Sequence, residues 1–272
     1  MTRRDDAVRR VAASDRLLVA LDFDGTLSPL VDDPMTARML PSARAAIERL
    51  AALPDTTVAF VSGRSLVDLR EIAEHGDDSI YLLAGSHGAE FWVPGDGALD
   101  PEPDVVDADL RDRLLADARH ATEGLDGVWI EPKTFGLGVH TRVADPVSAD
   151  RAHAAVDAVV VAEAPHWRRR TGKNIVEYAF RHEGKDSAIQ ALRERLAATA
   201  VLFAGDDVTD EDALRSLGAD DLGVRVGDGP SAASIVVADI DELASLLGDL
   251  AAQRRAAQGQ APAGADVRAP RE

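Results

Sequence analysis

The stretch LLVALDFDGTLSPL, residues 17–30, decides how the chain folds. It opens with an unbroken apolar run, Leu17 to Leu21. That is too short for a buried helix and right for a strand covered on both faces. The strand ends in Asp22, Asp24 and Gly25, so it delivers acids to an edge and then turns. On extended chain an i, i+2 pair projects to one side, which puts the Asp22 and Asp24 carboxylates together. Two carboxylates that close repel each other unless a cation or a proton lies between them.

Outward from this strand the chain alternates. TVAFVSG (57–63) and SIYLLAG (79–85) read as two more buried strands. Helices are expected over 42–53 and 65–74. The first buries Ala46, Ile47, Leu50 and Leu53 on one face, with Ser42 as its cap. The βαβαβ order implies parallel strands with right-handed crossovers and a ligand site at the strands' carboxyl ends. From about 104 to 181 the character changes. Helices over 109–123 and 148–162 are interleaved with VWIEPK, GLGVHTR, WRRRTG and NIVEYAF. Their apolar and polar residues alternate, as in a sheet with one covered and one open face. After Gly184 the buried pattern resumes: a helix over 185–197, the strand AVLFAGD (200–206), a helix over 210–217, then DLGVRVG and SIVVAD. The expected organisation is a parallel α/β core, 1–103 and 184–250, interrupted by an inserted α/β cap, 104–183. Hinges are expected near 101–104 and 181–184, and a disordered tail over 251–272.

The chain has 272 residues, 46% apolar and 29% charged, enough for a sizeable core. Without cysteine it has no disulfide scaffold, thiolate metal site or cysteine nucleophile. A formal charge of −18 opposes nucleic acids and anionic membranes, so neither is expected as a partner. An anionic small molecule can bind only where local cations or a metal reverse that field. The apolar runs fall far short of the ~18 residues that span a bilayer, and no signal peptide is expected in the stretch before DFDGT. A cytoplasmic monomer is expected.

Three further strings carry chemistry. LFAGDDVTDEDALRSL ends a buried strand in Asp206 and Asp207, with Asp210, Glu211 and Asp212 in the next turn. Acids in a first helical turn suit the helix dipole, which accounts for Glu211 and Asp212 but not for Asp206 and Asp207. If both acidic strand ends open onto one face, Asp22, Asp24, Asp206, Asp207 and Asp210 converge. At about 4 Å and an effective dielectric near 20, each like-charged pair costs on the order of 4 kcal/mol. Such an all-oxygen set calls for a hard divalent cation, Mg²⁺. FVSGRS offers a phosphate the Ser62 hydroxyl, close backbone approach at Gly63 and the Arg64 guanidinium. HEGKDSAIQAL places Lys185 in a first helical turn, where a cation opposes the dipole.

In the interrupting region Glu131 and Lys133 share a strand face, as do His140 and Arg142, and Glu177 follows Lys173. Such acids and bases suit a polyhydroxylated ligand, and equally the wet side of a half-exposed sheet. Arg168, Arg169 and Arg170 read as a solvated edge. Trp92, Trp129 and Trp167 read as packing residues rather than a sugar platform.

Nucleophile strand, hydroxyl strand, lysine and metal acids, in that order, resemble the haloacid dehalogenase superfamily of phosphohydrolases over about 17–70 and 184–239. AGSHGAE (84–90), IEPKTFGLGVHTR (130–142) and GKNIVEY (172–178) narrow the resemblance to the trehalose-6-phosphate phosphatase family. It implies a Rossmann-like parallel-sheet core with an inserted α/β cap, and hydrolysis of trehalose 6-phosphate to trehalose and phosphate. It implies Asp22 as nucleophile, Asp24 as general acid and then base, and Ser62 and Lys185 on the phosphoryl oxygens. Mg²⁺ would be held by Asp22, the Asp24 carbonyl and Asp206, with Asp207 and Asp210 ordering its waters. Substrate contacts would come from Gly25, Thr26, Gly63, Arg64, His87, Gly88, Glu131, Lys133, His140, Arg142, Lys173 and Glu177. Ser86 stands where the family commonly has Asn, and Asp186 where it often has Gly.

Two other readings stay open. The same core chemistry serves sucrose phosphate, a mannosyl phosphate or a hexose phosphate, and only the cap decides between them. A receiver domain phosphorylated on aspartate also gathers acids and a lysine at parallel strand ends, but needs no cap.

Overall fold

The computed structural model describes residues 3–99, 105–172 and 174–259. Lys173, the expected hinge at 101–104 and the tail from 260 lie outside the described residues. In chain order the first part holds α1 (Arg3–Ala12), β1 (Leu17–Leu21), α2 (Pro41–Ala51), β2 (Thr56–Val61), α3 (Leu66–Ile72), β3 (Leu82–Gly85), β4 (Glu90–Val93) and β5 (Gly97–Leu99). Then come α4 (Val105–Ala121), β6 (Trp129–Lys133), β7 (Gly136–His140), α5 (Pro146–Glu163), β8 (Arg168–Gly172) and β9 (Ile175–Ala179). The last part is α6 (Lys185–Leu196), β10 (Ala200–Gly205), α7 (Asp210–Ser216), β11 (Leu222–Val226), β12 (Ile235–Val237) and α8 (Ile240–Ala257).

One sheet has the order β12-β11-β10-β1-β2-β3-β4-β5. It is parallel from β12 through β3, and β4 and β5 add to it antiparallel. β1 is central and wholly buried because its neighbours on both sides are also apolar. Alternate residues of β1 go to opposite faces. Leu17, Val19 and Leu21 join the core built with α1, α2, α3 and α8, and Leu18 and Ala20 join the one built with α6 and α7. Each such buried Leu or Val contributes roughly 1.5–3 kcal/mol, so a polar substitution in β1 would be felt on both sides of the sheet. This is the α/β class expected from the run at 17–21.

The second sheet, β6-β7-β9-β8, is antiparallel throughout. Ile130, Leu137, Val139, Val176 and Tyr178 point to one face and pack on Leu114 and Ala118 of α4 and Val156 and Val160 of α5. The other face carries Trp129, Glu131, Lys133, His140 and Glu177 toward the core. Arg142 fastens the two parts, its Nη1 donating to the Val31 carbonyl at 2.7 Å.

Several local expectations change. Ser42 does not cap α2. Pro41 fills the first helical position, where its missing N–H leaves nothing unsatisfied, and Ser42 donates instead to Asp241 at 2.7 Å. The β4–β5 hairpin was not anticipated, although PGDG at 94–97 between EFWV and GAL is a turn signal. The region after 250 is still helical, since α8 runs to Ala257. Among the described residues no helix is long and apolar enough to cross a membrane.

Candidate active site

Asp22 leaves β1 with its N–H donating to the Ala204 carbonyl of β10 at 2.9 Å, so parallel pairing carries it to the sheet's carboxyl edge. There it is buried against Lys185, the first residue of α6. The Lys185 ammonium donates at 2.6 Å to Asp22 Oδ1 and at 2.6 Å to Asp210 Oδ1. Burial alone would depress the lysine's pKa, but the two carboxylates outweigh it and hold the ammonium well above its usual range. The unfavourable position at a helix start is thereby compensated. Asp210 opens α7 fully buried, and its other oxygen accepts from the Asp207 N–H at 2.9 Å.

Burial pushes the Asp22 carboxyl well above the usual range, with Asp210 and Asp206 adding to the rise and Lys185 opposing it. Burial, reinforced by Asp210 and Asp207 and opposed by Lys185, pushes Asp206 up to about 6. Carboxylates crowded this way lack positive charge. Asp22, Asp206 and Asp210 each offer an oxygen within 4.8 Å of the others, an all-oxygen set that fits a hard divalent cation. Thr26 Oγ1 lies 3.4 Å from both Asp22 Oδ2 and Asp206 Oδ1. Gly25 is required by its φ of +82° and because a Cβ there would sit 2.1 Å from Asp206 Oδ2.

Asp24 does not join this cluster through its side chain. Both its oxygens accept from Arg64, at 2.6 Å from Nε and 2.7 Å from Nη2, a bidentate pair. Burial acts against the Arg64 charge, yet hydrogen bonding to Asp24 leaves its pKa raised. A proton-donor role for Asp24 needs this pair to open. Ser62 ends the exit from β2 with its Oγ accepting from the Arg64 N–H at 3.2 Å. Gly63, expected to admit a phosphate, also leaves room for His87: a Cβ would lie 2.6 Å from the imidazole.

His87 sits in a left-handed turn, and burial lowers its pKa while Glu177 opposes that. Its Nε2 is 2.8 Å from Glu177 Oε2. Desolvation works against the charge of half-buried Glu177, but Lys133 and His87 hold it far below the usual carboxylate range. The network continues from Glu177 to Lys133 at 3.3 Å, to Glu131 at 2.9 Å and to His140 at 2.5 Å. Burial opposes both charges, yet the paired groups leave Glu131 lowered and Lys133 raised. Charged side chains on the wet side of a free sheet would not be fixed to one another like this.

The two halves enclose a cavity of 660 Å³, within the range of small-molecule sites. Asp22, Asp24, Ser62, Gly63, Arg64, His87, Glu131, Lys133, His140, Arg142, Glu177, Lys185, Asp206 and Asp207 all line it. Thr26 and Asp210 lie behind the wall, buried. Gly88 packs on α6 instead, where a Cβ would sit 2.7 Å from Ala188 Cβ. Ser86 donates to Glu90 at 2.5 Å, and Glu90 also accepts from Leu66 N–H at the start of α3. Asp186 is not part of the cavity wall. Sequence reasoning missed Leu30, Val31, Met35 and Trp129 in that wall; apolar residues in an irregular stretch and at a strand start carry no signal of facing a cavity.

The family profile described as Trehalose-phosphatase matches residues 20–243. The trehalose-phosphate phosphatase of Mycobacterium ulcerans is 32% identical over 269 residues, covering 93% of this chain and 67% of its own length. That of Mycobacterium tuberculosis is 32% identical over 230 residues, covering 80% of this chain and 57% of its own. The C-terminal domain of the C. albicans trehalose-6-phosphate phosphatase superposes with a TM-score of 0.79 at 21% identity, covering 92% of this chain and 97% of that one. The profile match spans both strand-end acid motifs and the whole second sheet, whose residues converge on one cavity. The chain therefore belongs to the trehalose-phosphatase family.

Proposed function

We propose that this chain is a Mg²⁺-dependent phosphatase that converts trehalose 6-phosphate to trehalose and phosphate through an aspartyl-phosphate on Asp22. The observation that carries this reading is the buried Asp22–Lys185 pair beside Asp206, facing the Glu131–Lys133–Glu177 network across one cavity. Names of the mycobacterial relatives supply the sugar.

The Asp22 oxygen not held by Lys185 attacks phosphorus, and the bond from phosphorus to the sugar oxygen breaks in line. Lys185 and the Ser62 hydroxyl bind the phosphoryl oxygens as charge moves onto them. Asp22, Asp206 and the Asp24 carbonyl would hold Mg²⁺, which when bound supplies further positive charge to those oxygens. A phosphate beside Ser62 competes with Asp24 for Arg64. That frees Asp24 to take up a proton from solvent or from the monoanionic phosphate ester, to pass it to the departing sugar oxygen, and then to take a proton from the water that attacks the aspartyl-phosphate. That second attack releases phosphate and restores Asp22. Glu131, Lys133 and Glu177 position the sugar hydroxyls, which both donate and accept hydrogen bonds.

The test is phosphate release from trehalose 6-phosphate, sucrose 6-phosphate, mannose 6-phosphate and glucose 6-phosphate, with Mg²⁺ added or removed by EDTA. The expected result is preference for the trehalose ester, dependence on the ion and loss of turnover in Asp22→Asn. A flat preference overturns the sugar assignment, and turnover by Asp22→Asn overturns the mechanism.

A further inference from the structure

We infer that Trp129, with Leu30 and Met35 of the same cavity wall, is a clamp for the sugar ring that does not carry the phosphate. The inference rests on the proposed disaccharide substrate and names a specificity residue within it. Of the three tryptophans, Trp92 and Trp167 are packed away at 8% and 6% exposure, as the sequence suggested. Trp129 is 42% exposed and lines the cavity. It opens the edge strand β6 on the same face as Glu131 and Lys133.

One side of its indole is already braced. The His140 ring, its register partner on β7, stacks on it at 4.4 Å with an interplanar angle of 3°. His140 is itself fixed by Glu131 at 2.5 Å. A braced, exposed aromatic presents a flat apolar surface at little conformational cost on binding. Other apolar members of the wall are Ile175 of β9 and, from the core, Val31, Pro34, Leu30 at 44% and Met35 at 39% exposure. Arg142, in the turn after β7, holds that stretch by its bond to the Val31 carbonyl.

The cavity thus grades from charged and buried to apolar and exposed. A phosphate at Asp22 and Lys185 puts its own ring near the Glu131, Lys133 and Glu177 side chains. A second ring joined to it extends toward the mouth. The C–H face of a pyranose is apolar, while its hydroxyls project around the rim. Such a ring lying on the indole buries that face and leaves the rim to the polar groups. A hexose phosphate ends before the clamp and gains nothing from it.

The experiment compares kcat/KM for trehalose 6-phosphate and glucose 6-phosphate in the wild-type enzyme, Trp129→Ala and Trp129→Phe, with Mg²⁺ present. In Trp129→Ala the loss for the disaccharide ester should exceed the loss for the hexose ester by about tenfold, and Trp129→Phe should restore most of the difference. Equal losses on both substrates would mean that Trp129 only braces His140 and Glu131, and would overturn the clamp. A second readout keeps the test valid if Trp129→Ala does not fold. Trehalose alone should change the tryptophan fluorescence of the wild-type protein, and Trp129→Phe should abolish that change. A signal that persists in Trp129→Phe, or none in the wild type at saturating trehalose, also overturns it. Wild-type protein that hydrolyses no disaccharide ester sinks the substrate reading and the clamp with it. Hydrolysis with an unmoved substrate ratio sinks the clamp alone.

Discussion

A lysine at the start of a helix works against the dipole, and Lys185 holds that place because Asp22 and Asp210 each accept from it at 2.6 Å. Replacing it with Met leaves two carboxylates buried without a counter-charge. Lys185→Met should lower stability by about 3–5 kcal/mol in urea unfolding, with a drop in kcat of about 10³-fold or more. Unchanged stability would mean that the pair is not buried as described. Asp206 gives a pH dependence. Its carboxyl is pushed up to about 6 by burial, Asp210 and Asp207, so the folded protein binds this proton more tightly than the unfolded chain does. The contribution is fully present below the unfolded value of about 3.9 and is lost as pH rises through about 6. A cation competes with that proton. The rise in Tm on adding Mg²⁺ should therefore be large at about pH 7.5 and small at about pH 5. Equal shifts at the two values would contradict it.

At the scale of elements, α8 shows what periodicity leaves out. AAQRRAAQG looks like the start of an irregular tail, yet Arg254 is fully buried. Its guanidinium donates to the Ala12 and Ser14 carbonyls at 3.1 and 2.8 Å, to Asp55 O at 2.6 Å and to Thr56 Oγ1 at 2.5 Å. One side chain thus ties the end of α1, the approach to β1 and the start of β2 to α8. Arg254→Ala should destabilise the protein by about 3 kcal/mol, through the backbone carbonyls it leaves unpaired. The check is thermal or urea unfolding, and kcat at a temperature where the variant is folded should stay within about twofold. The same lesson holds for Gly63, whose need for a hydrogen side chain comes from His87, a residue that follows β3.

At the scale of the molecule, the cavity exists only because two sheets of different kinds face each other. The parallel sheet brings Asp22, Ser62, Asp206 and Lys185 to one edge, and the antiparallel sheet turns its charged face onto them. A chain of net charge −18 can hold an anion there because Lys185, Arg64, Lys133 and Arg142 all line the same space. The core strands were legible from sequence because a strand buried on both faces leaves an unbroken apolar run, as in 17–21 and 200–204. The acids at the strand ends were legible because charge at the end of such a run has no structural reason to be there. The charged strand face of Glu131, Lys133 and Glu177 was legible as a face through its alternation, and as a set of sugar contacts through the family resemblance, but the ion pairs that fix these side chains to one another were not. Only the tertiary structure decided that Asp24 is tied to Arg64, that His87 bridges to Glu177, that Trp129 is a wall and Arg254 a buried clamp. Each of these depends on a partner 11 or more residues away along the chain, His140 on Trp129 being the nearest. Local composition and periodicity record which way a side chain points, and hold no information about what the fold brings to meet it.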